Sequence, residues 1–232
     1  DSSSFKNDYL NLVKQSDLLF TPNSLIYNEL KRENTNTFQI GHGVTEENLR
    51  SDRGDLKIPT ELQECNSRIL VYAGTLANWV DYDLLLNLAD TIQDSTILLI
   101  GYVHALAPKE KVRKLLDHKN TLSVGYKDYQ DLPRYFKFSS IGLVPYISNN
   151  EHIQYSTPTK FLDYFAFGLP VVTTNYPAAH DMDGLANIAT NHEDFINNVV
   201  SLKLESQDEL ELKKKRIAFA ENNTWSKQTM RM

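Results

Sequence analysis

Cysteine, positive charge and long apolar runs are all scarce in this sequence. Cys65 is the only cysteine among 232 residues, which excludes an intrachain disulfide and a cysteine-based zinc motif and favours a reducing compartment. Acidic residues outnumber basic ones by 30 to 24, and no Lys/Arg stripe interleaved with aromatics is found, so nucleic acid is not expected as a partner. No apolar run approaches the roughly 18 residues that span a bilayer, and no signal peptide is recognisable.

Short apolar runs alternate with helical patterns from Ser67 onward. This alternation predicts an α/β fold with a doubly wound, Rossmann-like parallel sheet. The predicted strands are residues 69–73, 96–100, 122–124, 141–144, 171–174 and 188–190. The predicted helices are residues 81–93, 108–118, 132–138, 158–167, 193–204 and 207–222. Asp81 and Asp83 are predicted to be helix-start residues rather than metal ligands, and the basic cluster 213–216 a solvated helix face. No metal site is predicted.

The first 45 or so residues have a separate pattern. A helix is predicted over residues 5–15 and a strand over 18–20, then a further helix and a strand that ends in residues 40–44, IGHGV. Two strands do not close a sheet by themselves, so we interpret this part as the tail of a preceding α/β domain, followed by a polar crossing segment over about residues 41–59. Since the chain opens at Asp1, this interpretation predicts further sequence upstream.

The most informative stretch is residues 157–174, TPTKFLDYFAFGLPVVTT. Thr157 suits a helix N-cap, Pro158 the first helical position and Gly168 a left-handed residue after the helix, while Pro170 prevents continuation. The first turn of such a helix favours an anion, because its N–H groups are unpaired and it carries the positive end of the macrodipole.

Lys160 and Asp163 lie three residues apart and share one face of this predicted helix. Lys160 adds a full positive charge at the anion-binding end, while the Asp163 carboxylate is suited to accept hydrogen bonds from ribose hydroxyls. The pair predicts a site for a sugar nucleotide. An ordinary surface Lys–Asp pair on a capped helix is the alternative that these two residues leave open.

The loops that follow the predicted strands are expected to supply the rest of the site, because ligands of open α/β sheets bind beyond the carboxyl ends of the strands. Glycine turns let backbone N–H groups approach a phosphate, and aromatic rings offer a stacking surface. Candidates of these kinds are Gly74, Thr75, Gly101, Tyr126 and Tyr146. Strand-terminal glycines and packing aromatics are common, so each is weak by itself. A polar loop, residues 147–156, then leads to Lys160.

Four motifs follow one another in a fixed order. They are VYAGTL with a later tryptophan and aspartate, LLIG, NTLSVGYKDYQDLPRYFKFSSIGLVPY and PTKFLDYFAFGLPVV. This order resembles the donor-binding domain of GT-B glycosyltransferases (family 4/group 1), especially those of bacterial polysaccharide assembly, over about residues 67–226. SDLLFTPNSLIYNEL and FQIGHGV resemble the end of the acceptor domain and the linker, and ENNTWSKQ resembles the returning C-terminal helix.

The resemblance implies one half of a two-domain GT-B architecture. Residues 1–45 are then the tail of the acceptor-side domain, 46–66 the linker, 67–222 the nucleotide-sugar donor domain and 223–232 a returning segment. It further implies metal-independent hexosyl transfer, without a cofactor, from a nucleoside diphosphate sugar to a glycan or lipid-linked acceptor. A UDP-sugar is favoured and a GDP-sugar comes second. The implied location is the cytoplasm, with the inner face of the membrane as an alternative.

Roles for single residues follow from the same resemblance. Lys160 is implied to contact the diphosphate, Asp163 the ribose and Tyr126 the base, while Gly74 and Thr75 line the diphosphate turn. The residues implied to enclose nucleotide and sugar are Gln154, Tyr155, Ser156, Thr157 and Thr159.

The sequence departs from the family pattern at two places. Tyr155 stands where many relatives carry a glutamate, and residues 77–79 (Ala-Asn-Trp) stand where many carry an Arg and Lys pair. More of the diphosphate binding then falls to Lys160 and the helix start. No catalytic residue is assigned, because the resemblance implies a general base on the acceptor side, and these residues alone are expected to be inactive. A sugar-nucleotide epimerase and a non-catalytic nucleotide-sugar-binding module remain the alternative functions.

Overall fold

The computed structural model describes residues 2–49, 55–65, 67–157 and 159–232, with side chains from residue 7 onward. The strands in this part of the chain are β1 (Leu19–Thr21), β2 (Thr37–Gln39), β3 (Arg68–Ala73), β4 (Ser95–Ile100), β5 (Thr121–Ser123), β6 (Ile141–Val144), β7 (Val171–Thr174) and β8 (Asn187–Ala189). The α-helices are α1 (Ser2–Gln15), α2 (Ser24–Leu30), α3 (Tyr82–Thr91), α4 (Lys109–Leu116), α5 (Leu132–Lys137), α6 (Glu151–Gln154), α7 (Lys160–Ala166), α8 (His192–Ser201), α9 (Gln207–Asn222) and α10 (Trp225–Thr229).

Strands β3 to β8 form one six-stranded sheet in the order β5-β4-β3-β6-β7-β8. All of its pairings are parallel. The chain enters at β3, winds outward through β4 and β5, returns to β6 beside β3 and then winds the other way. This confirms the predicted doubly wound α/β class. The strand order reverses between β3 and β6, and ligands of such sheets bind in the crevice at this switch point.

The strands of this sheet are short apolar runs because helices cover both of its faces. Every residue of β6 and β7 is buried. The six strands predicted for this sheet are confirmed to within one residue at each end, whereas the strand predicted to end in residues 40–44 is β2 and ends at Gln39. Gly142 of β6 has no room for a side chain, since a Cβ there would lie 2.4 Å from Cδ2 of Tyr164. Helix α7 therefore packs closely against the middle of the sheet.

Asp81 acts at the start of α3 as predicted. Its Oδ1 accepts from the Leu84 N–H at 2.9 Å, which is the bond of a helix N-cap. Its other oxygen lies 2.7 Å from His192 Nε2. The Asp83 carboxylate is 2.6 Å from Lys111 Nζ of α4. At this helix start the Asp81 carboxylate thus caps the helix, and the Asp83 carboxylate pairs with a lysine.

The predicted start of α7 is wrong. The helix begins at Lys160, with Thr159 as its N-cap residue in αR conformation and without a side-chain cap bond. Thr157, the predicted N-cap, instead accepts a hydrogen bond on its hydroxyl from Asn23 Nδ2 at 2.9 Å. Contact with a distant segment thus outweighs its local capping preference. Pro158, the predicted first helical residue, lies outside the described residues.

The predicted end of α7 is confirmed at Gly168. This residue has φ +68°, the left-handed conformation that suits glycine after a helix. Its N–H donates to Phe165 O at 2.8 Å, and the Leu169 N–H donates to Tyr164 O at 3.0 Å. These bonds satisfy carbonyls at the helix end before the chain turns into β7.

The predicted solvated face over residues 213–216 is wrong at Arg216. This side chain is 1 % exposed and pairs with Glu209 of the same helix, α9, with Nη2 to Oε2 at 3.3 Å. Its Nε also donates to Leu185 O at 2.9 Å. The two residues are seven positions apart, which is two helical turns, so they lie on the buried face of α9. A basic cluster in sequence therefore contains one residue that anchors the helix.

The N-terminal part forms a small parallel sheet of β1 and β2. It contacts the main sheet domain through α2, where Ser24 Oγ donates to Asp181 Oδ1 at 2.5 Å. After β2 the chain meets the returning C-terminal segment. The Val44 N–H donates to Asn223 O at 2.9 Å, and the Trp225 N–H donates to Val44 O at 3.2 Å. The predicted domain boundaries at residues 45, 66 and 222 stay predictions.

Candidate donor site

A cavity of about 310 Å³ opens at the carboxyl edge of the sheet, at the switch point beside β3. It is bounded by the loops after β3, β4 and β5 and by the start of α7. The residues that line it are Ala73, Gly74, Thr75, Ile100, Gly101, Tyr102, Tyr126, Lys127, Tyr129, Leu132, Phe136, Thr159, Lys160 and Asp163. Seven of the predicted site residues are thereby brought together: Gly74, Thr75, Gly101, Tyr126, Thr159, Lys160 and Asp163.

Two glycine turns form the floor of this cavity. The Gly74 N–H donates to Ile100 O and the Gly101 N–H donates to Gly125 O, both at 2.8 Å, so the loops after three neighbouring strands lie in one layer. A Cβ at Gly101 would lie 2.1 Å from Gly74 O, and the residue has φ +149°. Only glycine fits there, because both the space and the backbone conformation exclude a side chain.

Helix α7 is fixed at this edge by Tyr164. Its hydroxyl accepts from the Ala73 N–H at 2.9 Å and donates to Val71 O at 3.3 Å, at the end of β3. One turn earlier on the same helix, Lys160 reaches the glycine floor, and a Cβ at Gly74 would lie 3.0 Å from its Nζ. The sheet and the helix together place a cation against the Gly74 turn.

The Lys160 ammonium is held by two aromatic rings. Its Nζ lies 4.9 Å from the ring centroid of Tyr72 and 4.8 Å from that of Tyr146, within the range of a cation–π interaction. Its Nζ also donates a hydrogen bond to Tyr146 Oη. Tyr146, a predicted site residue, therefore acts through Lys160 and is absent from the described lining of the cavity.

The start of α7 offers fewer N–H groups than the sequence predicts. The Leu162 N–H donates to Thr159 O at 3.0 Å, and the Asp163 N–H donates to the same oxygen at 3.4 Å. The bond from Asp163 is the first regular bond of the helix, whereas the bond from Leu162 tightens the first turn and uses one of the N–H groups that a helix start leaves unpaired.

Asp163 is 8 % exposed and lines the cavity. Its Oδ1 accepts from Tyr129 Oη at 2.6 Å. Burial raises the pKa of Asp163 to about 6, although the hydrogen bonds of Tyr129 and Asn48 and the charge of Lys160 act in the opposite direction. At pH 7 the carboxyl group is therefore mainly ionised and can accept hydrogen bonds.

The rim of the cavity carries exposed aromatic rings. Tyr126 is 65 % exposed and Tyr102 is 52 % exposed, so both present ring faces to a ligand. Lys127 also lines the cavity, and its Nζ lies 2.7 Å from Glu61 Oε1. This ion pair and a hydrogen bond from the Tyr135 hydroxyl lower the pKa of Glu61 to about 2. The rim is thus tied to residues that precede the sheet.

The remaining predicted site residues lie elsewhere. In the described part of the chain, the lining of this cavity does not include Gln154, Tyr155 or Ser156. Residues 151–154 form α6 instead of an open loop, because Asn150 caps the turn by accepting from the His152 N–H. Gln154 Nε2 donates to Ser148 O. Thr157 lines a second cavity of about 280 Å³, next to residues of the N-terminal part.

Three side chains with polar groups that line the site fall outside the sequence-based prediction: Tyr102, Lys127 and Tyr129. Tyr102 follows Gly101 directly and lies in a loop after a strand. The rule that ligands of open α/β sheets bind beyond the carboxyl ends of the strands therefore covers its position. Lys127 and Tyr129 lie within three residues of Tyr126, but their partners, Glu61 and Asn48, are 66 and 81 positions away. No local pattern predicts such pairs.

Among the described residues, no cluster of three His, Cys, Asp or Glu side chains is arranged to hold a metal ion. Within the same residues, no helix is both long enough and apolar enough to cross a bilayer.

His42 lies after β2, where the chain meets the returning C-terminal segment. Burial lowers the pKa of this histidine.

A switch-point cleft with two glycine turns, a lysine and a buried carboxylate defines a Rossmann-like α/β domain with a ligand site at its carboxyl edge. The family model described as "Glycosyl transferases group 1" matches residues 67–203, more than half of the chain. The chain therefore belongs to the group 1 glycosyl transferases, and the GT-B resemblance is confirmed.

One curated relative is TuaH of Bacillus subtilis (strain 168), which carries the provisional name of a teichuronic acid biosynthesis glycosyltransferase. It is 24 % identical over 180 residues, which is 76 % of this chain and 45 % of TuaH. Among solved structures, a glycosyltransferase from Rickettsia africae aligns with a TM-score of 0.78 at 16 % identity, over 98 % of this chain and 65 % of the other. Anabaena HepE in complex with UDP aligns with a TM-score of 0.75 at 13 % identity, over 92 % and 62 %.

The two solved structures share the fold of this chain, and all three relatives are longer than it. It spans about half of TuaH and less than two thirds of the two solved structures. The similarity therefore covers the six-stranded sheet domain together with the segments that flank it.

Proposed function

We propose that this chain provides the donor site of a glycosyltransferase that uses a nucleoside diphosphate sugar. A UDP-sugar is the favoured donor and a GDP-sugar the second candidate. The acceptor is a glycan or a lipid-linked glycan in polysaccharide assembly. Glycosyl transfer as a class follows from the family, whereas the donor, the acceptor and the absence of a metal requirement are our proposals.

The placement of Lys160 carries this proposal. Its ammonium lies against the Gly74 turn, where a Cβ would be 3.0 Å from Nζ, and Asp163 follows one turn later on the same face of α7. A cation beside a glycine floor suits a diphosphate, and a carboxylate one turn away suits a diol. The exposed rings of Tyr126 and Tyr102 at the rim suit a base.

Transition-state stabilisation follows from this placement. When the glycosidic bond to the diphosphate breaks, negative charge develops on the departing phosphate oxygen. A fixed ammonium group stabilises that charge more than it stabilises the intact donor, and such a difference raises the rate. Tyr146 accepts a hydrogen bond from Lys160 and thereby helps to hold the ammonium group in place. No metal ion is required for this role.

Known relatives support the proposed donor and acceptor classes. HepE forms complexes with UDP and with UDP-glucose, and the latter complex aligns with a TM-score of 0.70 at 14 % identity. The name of TuaH refers to teichuronic acid biosynthesis, which supports a polysaccharide-type acceptor. The predicted cytoplasmic location and work at the membrane face stay predictions.

The first test is a calorimetric titration with UDP, GDP, ADP, CDP and dTDP. We expect one diphosphate, UDP, to bind the wild-type chain. Lys160→Met keeps the aliphatic part of the side chain against Tyr72 and Tyr146 but removes the charge. Losing a charge-assisted contact should weaken UDP binding by about 10- to 150-fold.

Lys114→Met is the matched control, because Lys114 lies on α4 and pairs with exposed Glu110, at 3.2 Å. It should leave the affinity for UDP unchanged, and EDTA should have no effect on either protein. If Lys160→Met binds UDP as tightly as the wild type, the assignment of this site is wrong. If UDP binds but turnover with a UDP-sugar gives an isomerised sugar without any acceptor, the epimerase alternative is correct.

A further inference from the structure

Tyr129 connects the candidate site to the segment that precedes the main sheet. Its hydroxyl donates to Asp163 Oδ1 at 2.6 Å and accepts from Asn48 Nδ2 at 3.1 Å. Asn48 is 4 % exposed and belongs to the 3-10 helix Glu46–Leu49, which lies between β2 and β3 in sequence. The Tyr129 hydroxyl thus joins this preceding segment to the acid of the site, and the Asn48 side chain also hydrogen-bonds the acid itself.

This hydrogen bond acts on a carboxylate that its surroundings disfavour. Asp163 is buried, and burial penalises the charged form of any carboxyl group. A hydroxyl that donates to the carboxylate favours the charged form. Hydrogen bonds to charged groups are also stronger than those between neutral groups, so the effect of this single bond is large.

The same bond fixes the direction of the carboxylate. With Oδ1 held by Tyr129, rotation about the Cβ–Cγ bond is restricted in a carboxylate that lines the same cavity as Tyr129. The backbone of Tyr129 begins the 3-10 helix Tyr129–Asp131, and its hydroxyl accepts a hydrogen bond from Asn48. Its hydroxyl is therefore directed at the acid and needs no contact with the nucleotide.

We propose that Tyr129 is a positioning residue of the donor site, whose hydroxyl keeps the Asp163 carboxylate ionised and turned toward the ribose, and that Asn48 holds this hydroxyl in place. The ribose part of this statement rests on the proposed function. The part that concerns ionisation of Asp163 is independent of any ligand.

Other titratable groups near Asp163 have identified partners. Lys160 on the same helix acts on Asp163 through its charge, and its ammonium lies over the rings of Tyr72 and Tyr146. Tyr164, the next residue, is also electrostatically coupled to Asp163. From the packed 3-10 helix, the Glu46 carboxylate accepts from the Ser226 N–H, away from this site. From α9, Glu209 and Arg216 pair with each other. Tyr129 is therefore the group whose removal tests the proposal.

The test compares Tyr129→Phe with Tyr82→Phe, which removes a buried hydroxyl that has no hydrogen-bond partner among the described residues. UDP is titrated at pH 7 and at pH 9. Loss of the Tyr129 hydroxyl should raise the Asp163 pKa by about one to two units. The affinity for UDP should then fall by about two- to tenfold at pH 7 and return to within about twofold of wild type at pH 9. Tyr82→Phe should match the wild type at both pH values.

A second readout works without a nucleotide. The free energy of unfolding is measured against pH for the wild type and Tyr129→Phe, each compared with the same protein that also carries Asp163→Asn. The difference in unfolding free energy within each pair changes with pH between the unfolded and the folded pKa of Asp163, and the upper end of this pH window should move upward by about one to two units in Tyr129→Phe.

The two readouts separate the possible outcomes. If the upper end of the pH window does not move, the proposal is overturned. It is also overturned by an affinity loss at pH 7 that persists at pH 9, because a merely structural role would not be rescued by pH. If no nucleoside diphosphate binds the wild type, the proposed function fails, and the upper end of the pH window still decides the role of Tyr129 in keeping Asp163 ionised.

Discussion

The Asp163 side chain is 8 % exposed, and burial raises its pKa from 3.8 to about 6. A carboxyl group whose pKa is raised on folding binds its proton more tightly in the folded state. Its contribution to stability is therefore largest below pH 4 and is lost as pH rises through the window from about 4 to 6. The residue that we assign to ribose binding thus lowers the stability of the unliganded chain near neutral pH.

Replacing Asp163 by Asn should separate these two effects. Because Asn does not ionise, the stability of Asp163→Asn relative to wild type should rise by roughly 3 kcal/mol between about pH 4 and pH 6, as a pKa shift of about two units requires. The same variant should bind UDP more weakly at pH 7. Urea unfolding over this pH range and calorimetry provide the measurements. A stability difference that stays flat with pH contradicts the pKa assigned to Asp163.

Sequence alone predicts the residues of the site whose role depends on their position in an element. Gly74, Gly101 and Tyr126 follow strands, and Lys160 and Asp163 begin a helix, so the rule for open α/β sheets finds them. Tyr129 and Lys127 depend on Asn48 and Glu61, which folding brings from 81 and 66 positions away. Such long-range partners leave no periodic pattern in the sequence.

At the scale of elements, the strands are predictable because they are buried on both faces and read as short continuous apolar runs. Helix ends are less predictable where tertiary contacts compete with capping. Thr157 has the chemistry of an N-cap, yet its hydroxyl accepts from Asn23, and α7 begins at Lys160. Residues 151–154 read as a polar loop and nevertheless form α6, because the Asn150 side chain caps a single turn.

The buried pair of Arg216 and Glu209 holds α9 against the turn that ends α7 and against the residues before β8. Arg216 Nη1 lies 3.5 Å from Gly168 O, and Nε donates to Leu185 O. Glu209→Gln should lower the free energy of unfolding by roughly 3–5 kcal/mol, because it leaves a buried guanidinium without a counter-charge.

Glu211→Gln on the same helix is the matched control. Glu211 pairs with Lys214 at 2.8 Å on the surface, so its loss should change stability by less than about 1 kcal/mol. Urea unfolding of both variants measures the difference. Equal effects of the two substitutions would show that the buried pair does not anchor α9.

At the scale of the whole molecule, the segment after β2 and the returning segment before α10 lie side by side. Val44 and Thr224 form a parallel bridge, and Gln228 Nε2 donates to His42 O at 3.0 Å. Gly43 makes this approach possible, since a Cβ there would lie 2.6 Å from the Trp225 backbone nitrogen. Two distant parts of the chain thus pack against each other at this crossing.

Gly43→Ala should separate these two segments. The clash is with backbone, so relief requires α10 to move, and we expect a loss of roughly 1–3 kcal/mol of stability with faster hydrogen exchange at the Val44 and Trp225 N–H groups. Gly41→Ala is the control, because its Cβ would lie 3.4 Å from the flexible end of Gln228. Protection at Val44 and Trp225 that is unchanged in Gly43→Ala would contradict this account of the crossing.

The floor of the cavity has a consequence for how donor preference changes during evolution. It consists of glycine backbone at Gly74 and Gly101, and Gly101 accepts no side chain. In the proposed function this floor holds the diphosphate, and it has no side chain with which to distinguish one nucleotide from another. We therefore expect the discrimination to come from the rim, where Tyr102, Tyr126 and Lys127 lie on loops, since loops tolerate replacement better than strands and helices. New donor preferences would then arise through rim substitutions alone, while the glycine floor is inherited unchanged.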